Sequence, residues 1–589
     1  MANLVNLEGV SHGFGTRILL DSVSLGLGAG EVIGVVGRNG DGKTTLLRIL
    51  TGELEPDSGR VTVATNSSIG VLTQATIGDD AQTIRDWIVD GEPDHVWAAD
   101  ADKRAVVEAL VADLDLDRRL DTLSGGERRR VGLVAVLLGH HDLIVLDEPT
   151  NHLDVEAIAF LATHLQARTR AGLAMLVVSH DRWFLDAICT RIWEVHDGVV
   201  DAYEGGYAAY VLARVERQRQ AAANESRRRN LARKELAWLR RGAPARTSKP
   251  KFRIDAANVL IADEPEPRDK LALQQFAVTR LGKDVFDLIN VQYAVDDRTL
   301  LDRLTWSIGP GDRIGLVGVN GAGKTTLLDL LSGDRSPQGG KVKRGKTLRL
   351  GYLSQTVGEL DDEDRVLESV KRLKEETKLA TGREASASSL LEEFGFTGDK
   401  LVARIGDLSG GERRRLQFLR LLLAEPNVLI LDEPTNDLDI DTLTVIEDYL
   451  DRWPGTLIVV SHDRYFLERI TDYTYALLGD GSCVLLPGGV DEYLDRRARA
   501  RSKAAAGSRP GGAAVEASRS DAAAERQRKK DLARIEGQLE KVAAEIERLH
   551  AKMAEAATDF ARLAELDAQL RDAEARHERL EEAWLETAD

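Results

Sequence analysis

At 589 residues, with 43% hydrophobic and 30% charged side chains, the chain is long enough for several domains, each able to bury its own core. No uninterrupted apolar run reaches the ~18 residues of a membrane helix; the longest candidate, Val131 to Leu146, is broken by His140, His141 and Asp142, so a membrane-spanning part is not expected. The net charge of −18 argues against nucleic acid only on average, because 14 Lys or Arg stand against 3 Glu between Ala213 and Arg253, a local +11 that leaves −29 on the rest.

The N-terminus, Met1-Ala2-Asn3-Leu4-Val5-Asn6, lacks the basic head and apolar stretch of a secretory signal. Cys189 and Cys483 are too few and too isolated for a disulfide framework or a zinc site, so a reducing cytoplasm is the expected compartment.

In chain order, the first stretch that carries chemistry is Gly37-Arg38-Asn39-Gly40-Asp41-Gly42-Lys43-Thr44. Its glycines let the backbone curl around phosphate oxygens, and Lys43 brings them a positive charge. Val32 to Val36 before it reads as a buried strand; Thr45 to Leu50 after it reads as a helix whose first N–H groups face the anion. The pattern returns as Gly318-Val319-Asn320-Gly321-Ala322-Gly323-Lys324-Thr325, leading into Thr326-Leu327-Leu328.

From each loop the same succession follows. The first copy has Gln74, then Leu123-Ser124-Gly125-Gly126-Glu127, Leu143 to Asp147-Glu148-Pro149-Thr150, and Val177-Val178-Ser179-His180-Asp181-Arg182. The second has Gln355, Leu408-Ser409-Gly410-Gly411-Glu412, Leu429 to Asp432-Glu433-Pro434-Thr435, and Val459-Val460-Ser461-His462-Asp463-Arg464. The expectation is a duplicated α/β domain, its apolar strands alternating with helices around a largely parallel sheet.

These residues resemble the ATP-binding cassette superfamily, whose Walker A, Q-loop, signature, Walker B, D-loop and H-switch elements all occur twice and in order. Two cassettes without a membrane segment, a charged helical linker between them and Asp-Glu-Pro-Thr-Asn in both Walker B regions are similar to the ABC-F family, whose known members mostly act on ribosomes. The C-terminal tail is similar to that of the Uup-like branch. The expected domains are cassette 1 over 1–204, a basic helical linker over 205–275, cassette 2 over 276–498, a flexible tether over 499–523 and a coiled-coil hairpin over 524–589.

Hydrolysis of a terminal phosphate needs a cradle for charge, a metal, a positioned water and a group to orient it. Lys43 and Lys324 would meet the β and γ oxygens, and Thr44 and Thr325 would offer hydroxyls to Mg²⁺ opposite Asp147 and Asp432. Glu148 and Glu433 are placed to polarise the attacking water, His180 and His462 to contact the γ-phosphate, and Gln74 and Gln355 to approach metal and water. A lone strand-end Asp-Glu is usually a solvated loop start; the complete ordered set in both halves reverses that reading. Each Leu-Ser-Gly-Gly-Glu opens a helix and so forms a second anion site. The resemblance implies head-to-tail closure, with Lys43, Asp147, Glu148 and His180 sharing one nucleotide with Ser409 and Gly411, and Lys324, Asp432, Glu433 and His462 sharing the other with Ser124 and Gly126.

Two departures stand out. Asp41 occupies the first loop where the second has Ala322, and an acid beside phosphates is unfavourable unless it faces solvent or pairs with Arg38, which would make the first site the slower one. Phe14, three residues before Arg17, is a candidate platform for adenine; the corresponding place before Arg298 is Val295, with Tyr293 two residues earlier.

In the linker, Ala208 to Leu239 reads as a long helix, broken at Arg240-Arg241-Gly242-Ala243-Pro244-Ala245-Arg246, with a second helix from about Arg253. Arg240, Arg241, Arg246, Lys249 and Lys251 suit a phosphate backbone. In ABC-F proteins the corresponding segment enters the ribosomal exit-tRNA site and faces the peptidyl-site tRNA. The tip is short, unlike that of resistance members that reach the drug-binding tunnel, and only 48 and 52 residues separate Gln74 from Leu123 and Gln355 from Leu408, so the arm insertion is expected to be reduced. In the tail, Leu532, Ile535, Leu539, Val542, Ile546, Leu549 and Met553, then Leu563, Leu566, Leu570, Ala573, His577, Leu580 and Trp584, follow steps of three and four, as in an antiparallel helical hairpin.

The reading is therefore a cytoplasmic, monomeric, Mg²⁺-dependent ATPase that closes its cassettes on ATP, binds the ribosome and tRNA, and modulates translation through its basic linker. The alternatives are an ATPase acting on branched DNA through the tail and an antibiotic-resistance ribosome-protection factor; no membrane partner is expected.

Overall fold

The computed structural model describes residues 3–15, 17–65, 67–72, 81–217, 219, 282, 285–295, 298–354, 360–373, 376–378, 384–436 and 438–507. The linker tip, the coiled-coil hairpin, Gln74 and Gln355 lie outside the described residues. Contacts group Met1–Asp495 into one compact unit and Arg496–Asp589 into another.

The first copy opens with β1 (Asn3–Phe14) and β2 (Arg17–Gly28), an antiparallel pair that β4 (Ser58–Val63) joins on the other side of β1. The second sheet has the order β5-β6-β7-β3-β8-β9, from β3 (Val32–Val36), β5 (Ile69–Leu72), β6 (Leu143–Asp147), β7 (Ala174–Val178), β8 (Arg191–His196) and β9 (Val199–Glu204). Its pairings are parallel except β8 with β9. Every residue of β3, β6 and β7 is buried, which explains their unbroken apolar runs: strands covered on both faces have no solvent side to alternate with.

The helices are α1 (Lys43–Thr51), the small group α2 (Ile84–Val89), α3 (Asp94–Trp97) and α4 (Ala101–Leu110), then α5 (Gly125–Leu138), α6 (Val155–Arg170) and α7 (Arg182–Ile188). A helix over 207–217, α8, begins the linker.

The second copy repeats this with β10 (Phe286–Val295), β11 (Arg298–Ile308) and β13 (Gly339–Arg344) in one sheet. The other has the order β14-β17-β18-β12-β19-β20, from β12 (Arg313–Val317), β14 (Leu350–Leu353), β17 (Val428–Asp432), β18 (Thr456–Val460), β19 (Tyr473–Leu477) and β20 (Cys483–Leu486). Its helices are α9 (Lys324–Ser332), α10 (Val366–Lys371), α11 (Ala387–Glu393), α12 (Gly410–Leu423), α13 (Ile440–Arg452) and α14 (Arg464–Ile470). Between α10 and α11 the second copy adds a two-stranded ladder, β15 (Glu376–Lys378) with β16 (Glu384–Ser386). The fold is thus α/β with two tandem cassettes. A last helix, α15 (Gly489–Gly507), continues into residues read as tether, where Arg, Lys and Ala are strong helix formers.

The cores of the two copies interlock. Val155, the first residue of α6, belongs to a hydrophobic cluster otherwise made by the second cassette, and Ile440, the first residue of α13, to one otherwise made by the first. Burying such a side chain contributes roughly 1.5–3 kcal/mol, so each exchange holds the cassettes face to face.

Candidate active sites

After β3 the chain turns through Gly37 at φ 150°, where an added Cβ would lie 2.4 Å from the Val195 carbonyl oxygen. Gly318, at φ 155°, would meet the Leu477 oxygen at 2.6 Å, so the loop passes too close to the neighbouring strand for any side chain. Gly42 and Gly323 cap α1 and α9 in the left-handed conformation without a side-chain hydrogen bond, which leaves the first helical N–H groups, those of Lys43, Thr44, Thr45 and of Lys324, Thr325, Thr326, available to an anion. Lys43 Nζ donates to the carbonyls of Gly37 (2.8 Å) and Arg38 (3.0 Å), and Lys324 Nζ to those of Gly318 (2.6 Å) and Val319 (3.2 Å). Burial lowers the pKa of both ammonium groups, against the pull of the nearby carboxylates.

Asp147 and Asp432 end the buried strands β6 and β17. Thr44 Oγ1 donates to Asp147 Oδ2 at 3.2 Å, and Thr325 Oγ1 to Asp432 Oδ2 at 2.9 Å. A hydroxyl and a carboxylate converging beside a phosphate loop are the hard oxygen donors that Mg²⁺ takes, with water and phosphate oxygens completing its shell. The chemistry of the donor set therefore fits that ion.

Glu148 and Glu433 sit at φ 51° and 47°, a conformation rare for a side-chain-bearing residue and one that accumulates at functional sites. Their N–H groups donate to Val178 O (2.8 Å) and Val460 O (2.9 Å), which hold the turn. His180 Nε2 lies 3.3 Å from Glu148 Oε1, and His462 Nε2 3.3 Å from Glu433 Oε1. Burial, opposed by the neighbouring lysine and reinforced by the preceding aspartate, pushes both glutamates up to about 8. Burial and the same lysines push His180 down to about 3 and His462 well below its ordinary value, so both imidazoles are neutral. The Nδ1 atoms of both histidines are buried with no hydrogen-bond partner.

The sites are completed across the cassettes. Asn39 of the first phosphate loop shares a small cavity, about 40 Å³, with Ser409, Gly411 and Asp439 of the second cassette, and its N–H donates to Asp439 Oδ2 at 3.2 Å. A cavity of about 860 Å³ stands over the second loop, lined by Asn320, Gly321, Gly323, Lys324, Thr325, Thr326, Asp432, Glu433 and His462. From the opposite cassette it receives Thr150 to Leu153 and His180. Asn320 N–H donates to Asp154 Oδ2 at 3.1 Å and its side-chain amide to His152 O at 3.3 Å. Ser124 and Gly126 do not line this cavity; Gly126 stands behind it, where a Cβ would touch the His152 ring at 3.3 Å. Ser124 and Ser409 each cap their helix reciprocally with Glu127 and Glu412.

Asp41 is largely shielded from solvent and forms an ion pair with Arg17 (Nη2 to Oδ1, 3.9 Å), not with the Arg38 guanidinium. Its carboxylate accepts from the Arg38 backbone N–H at 3.1 Å, inside the loop, while the Arg38 guanidinium crosses to Asp441 of the second cassette (Nε to Oδ2, 3.1 Å). Desolvation raises the Asp41 pKa. Phe14 is 59% exposed, edge-on to His12, and its counterpart Val295 lines the large cavity beside Arg298, whereas the Tyr293 hydroxyl accepts from Arg335. Gly40 lies beside Arg17 as Gly321 lies beside Arg298.

Other contributors were not anticipated. Arg414, in the signature helix, donates to Asp432 O (2.8 Å) and Glu433 O (3.1 Å), and Arg129 to Asp147 O, so each signature helix braces its own strand end. Asp154 and Asp439 reach the opposite phosphate loop. The only advance signal was their repetition at matching positions. Arg240, Arg241, Arg246, Lys249 and Lys251 lie outside the described residues.

Comparison with known proteins bears on the family and the fold. The family model described as ABC transporter matches residues 20–151 and 301–436, and that described as ABC transporter C-terminal domain matches 523–589. The chain is 36% identical to the uncharacterized ABC transporter ATP-binding protein YfmR of Bacillus subtilis, over 99% of this chain and 98% of that one. It is 34% identical to the energy-dependent translational throttle protein EttA of Escherichia coli K12, over 82% and 93%. Among solved structures, archaeal ribosome recycling factor aABCE1, in complex with ribosomal stalk protein aP1, superposes with a TM-score of 0.60 at 21% identity, over 84% of this chain and 92% of that one, a likeness of fold. Among the described residues no helix is long and apolar enough to cross a membrane. The chain belongs to the ATP-binding cassette superfamily, as a tandem-cassette ATPase of the ABC-F type.

Proposed function

We propose that the protein hydrolyses ATP at two composite sites and uses closure on ATP to bind the ribosome near the exit-tRNA site and modulate translation through its basic linker. The observation that carries the hydrolytic part is the pair of glutamates at φ near 50°, each 3.3 Å from a neutral, buried histidine at the end of the next strand. Each glutamate, in its carboxylate form, orients water and draws its proton, and the histidine, whose neutral ring has a single N–H to give, turns it to the γ-phosphate. Mg²⁺, when bound, neutralises phosphate charge; Thr44 with Asp147, and Thr325 with Asp432, would hold it. The lysines and loop N–H groups bind the phosphates, Phe14 stacks on adenine in the first site, Gln74 and Gln355 approach the metal and water, and Ser409–Gly411 and Ser124–Gly126 close over the nucleotides from the opposite cassette.

The ribosomal part rests on 34% identity to a translational throttle protein over most of both chains, and on the +11 segment within an acidic chain. The Uup-like branch is the assignment we favour for the tail, given the C-terminal match at 523–589. The test replaces Glu148 and Glu433 by Gln together. ATP-dependent retention in ribosome fractions of a sucrose gradient is expected, weakened by reversing the charges of Arg240, Arg241 and Arg246. Absence of co-sedimentation at low salt refutes the ribosomal reading and leaves the ATPase one intact. Deletion of 524–589 is expected to leave ribosome association largely in place, whereas under the DNA reading it would abolish function.

A further inference from the structure

Each cassette is followed by a helix, and each of these helices is tied across the interface to the same place on the opposite cassette. That place is the second residue of the helix after the D-loop, Asp441 in α13 and Glu156 in α6. Arg214 of α8 grips Asp441 with both nitrogens, Nη1 to Oδ1 at 2.7 Å and Nη2 to Oδ2 at 3.1 Å. Tyr493 of α15, itself buried, donates its hydroxyl to Glu156 Oε1 at 2.7 Å.

The two ties differ in what else they touch. Asp441 Oδ2 also accepts from Arg38 Nε in the first phosphate loop at 3.1 Å. Two residues earlier Asp439 accepts from the Asn39 N–H of the same loop, so two consecutive loop residues are held by the opposite cassette. In the second loop the position of Arg38 is taken by Val319, which has no side-chain donor to offer Glu156. Arg214 is in turn anchored to its own cassette: its Nε lies 3.0 Å from Glu194 Oε1, an atom that also accepts from the Tyr210 hydroxyl at 3.0 Å. A continuous chain of charge-assisted hydrogen bonds therefore runs from the first phosphate loop through Asp441 to the root of the linker, and these are the stronger class of hydrogen bond.

We propose that Asp441 is a positioning residue for the first ATP site, holding Arg38 and the loop it belongs to, and that through Arg214 it makes the position of the linker root depend on occupancy of that site and not of the second. The proposal rests on the reading that the Lys43 loop binds ATP. Because coupling between two positions is reciprocal, loosening the linker root must weaken nucleotide binding at the first loop by the factor with which nucleotide tightens the root.

The test is equilibrium titration of the full chain with a fluorescent ATP analogue and Mg²⁺, in a Lys324→Ala background that leaves the first site and a Lys43→Ala background that leaves the second. Asp441→Asn and Arg214→Gln are each expected to weaken first-site binding about tenfold, equivalent to ~1.4 kcal/mol, and to shift second-site binding less than twofold. Combined, they should cost no more than the larger single loss, and Asp441→Glu, which keeps the charge, should recover part of it. A general folding defect would weaken both sites alike and be unmoved by the conservative replacement, which overturns the proposal. Unchanged first-site affinity in Arg214→Gln also overturns it while leaving ATP binding by Lys43 standing. Undiminished binding in the Lys43→Ala, Lys324→Ala chain instead overturns the reading on which the proposal rests.

Discussion

Replacing Glu447 by Ala tests how the cassettes hold one another. Glu447, on α13 of the second cassette, is wholly buried, and Arg182, on α7 of the first, is nearly so. Arg182 binds Glu447 through both terminal nitrogens, one at 3.0 Å, and also donates to Asp463 Oδ2 at 3.1 Å; Arg469 adds a bond to Glu447 Oε2 at 2.9 Å. The pair is not repeated at the matching positions of the other half. The place matching Glu447 in α6 is Ala162, and the arginine matching Arg182, Arg464, lies over the Trp183 ring at 3.6 Å and reaches the exposed Asp491. Removing one partner of a buried pair costs about 3–5 kcal/mol, because the other charge is left without compensation. With the cassettes apart both groups return to water, so the penalty falls on closure and not on the fold of either cassette. Allowing Asp463 to keep part of the Arg182 charge satisfied leaves roughly 2–3 kcal/mol, a 30- to 150-fold loss in the closure equilibrium. Energy transfer between dyes on the two cassettes, titrated with a non-hydrolysable ATP analogue, reads this as a shifted midpoint. Arg182→Leu with Glu447→Leu should recover part of the loss, since apolar residues replace a buried pair at little cost, and the part not recovered is that of Asp463, which loses its bond from Arg182. A midpoint displaced less than about threefold by Glu447→Ala, or additive effects of Arg182→Ala and Glu447→Ala, would refute the reasoning.

Three other outcomes follow from the geometry. Gly318→Ala places a methyl 2.6 Å from the Leu477 oxygen, and nucleotide binding at the second site, measured in a Lys43→Ala background, should fall at least about tenfold, while the first site, measured in a Lys324→Ala background, is spared. Ile440→Ala removes a side chain seated in the opposite cassette's core and should cost about 2–5 kcal/mol, read in the same energy-transfer titration with little change in helix content. The third is a pH dependence. Glu148 and Glu433 are pushed up to about 8 and Asp181 to about 7, so their protonated forms favour the folded arrangement and that stability is lost as pH rises towards those values. His180, pushed down to about 3, opposes this only below its ordinary value of 6.5, and Lys43 and Lys324, lowered from 10.5, oppose it towards the alkaline end. Between pH 6.5 and 8 the melting temperature without added nucleotide should therefore fall, and Glu148→Gln with Glu433→Gln should flatten the slope; a rise across that window would contradict the assignment.

The phosphate loops, the strand-end Asp-Glu pairs and the Ser-His-Asp triplets were legible in the chain because their chemistry is local. A backbone that must wrap an anion needs glycine at fixed spacing, and a carboxylate at the end of a buried strand must follow an apolar run. Duplication strengthened each reading, since the second copy repeats the order. The ladder of β15 and β16 was not visible: three-residue strands leave too little alternation to be recognised. The surroundings of Asp41 were not visible either. Spacing alone left open whether it faces solvent or pairs with Arg38; the loop's own curl brings the Arg38 N–H to it, while the Arg38 side chain crosses the interface.

By itself the order of residues determined two α/β cassettes and marked out the glycine-rich loops and the candidate groups around them, because each depends on residues a few positions apart. Only the tertiary structure decided which residues complete each site from the other side. Arg38 and Asp441 are separated by 403 positions, and Arg182 and Glu447 by 265. Their pairing is a matter of which faces of two packed domains come together, and no local spacing encodes it. The two copies already differ in sequence, with arginine and valine at equivalent positions of the loops and alanine and glutamate at equivalent positions of the helices, and the difference acquires consequences only when the two cassettes meet.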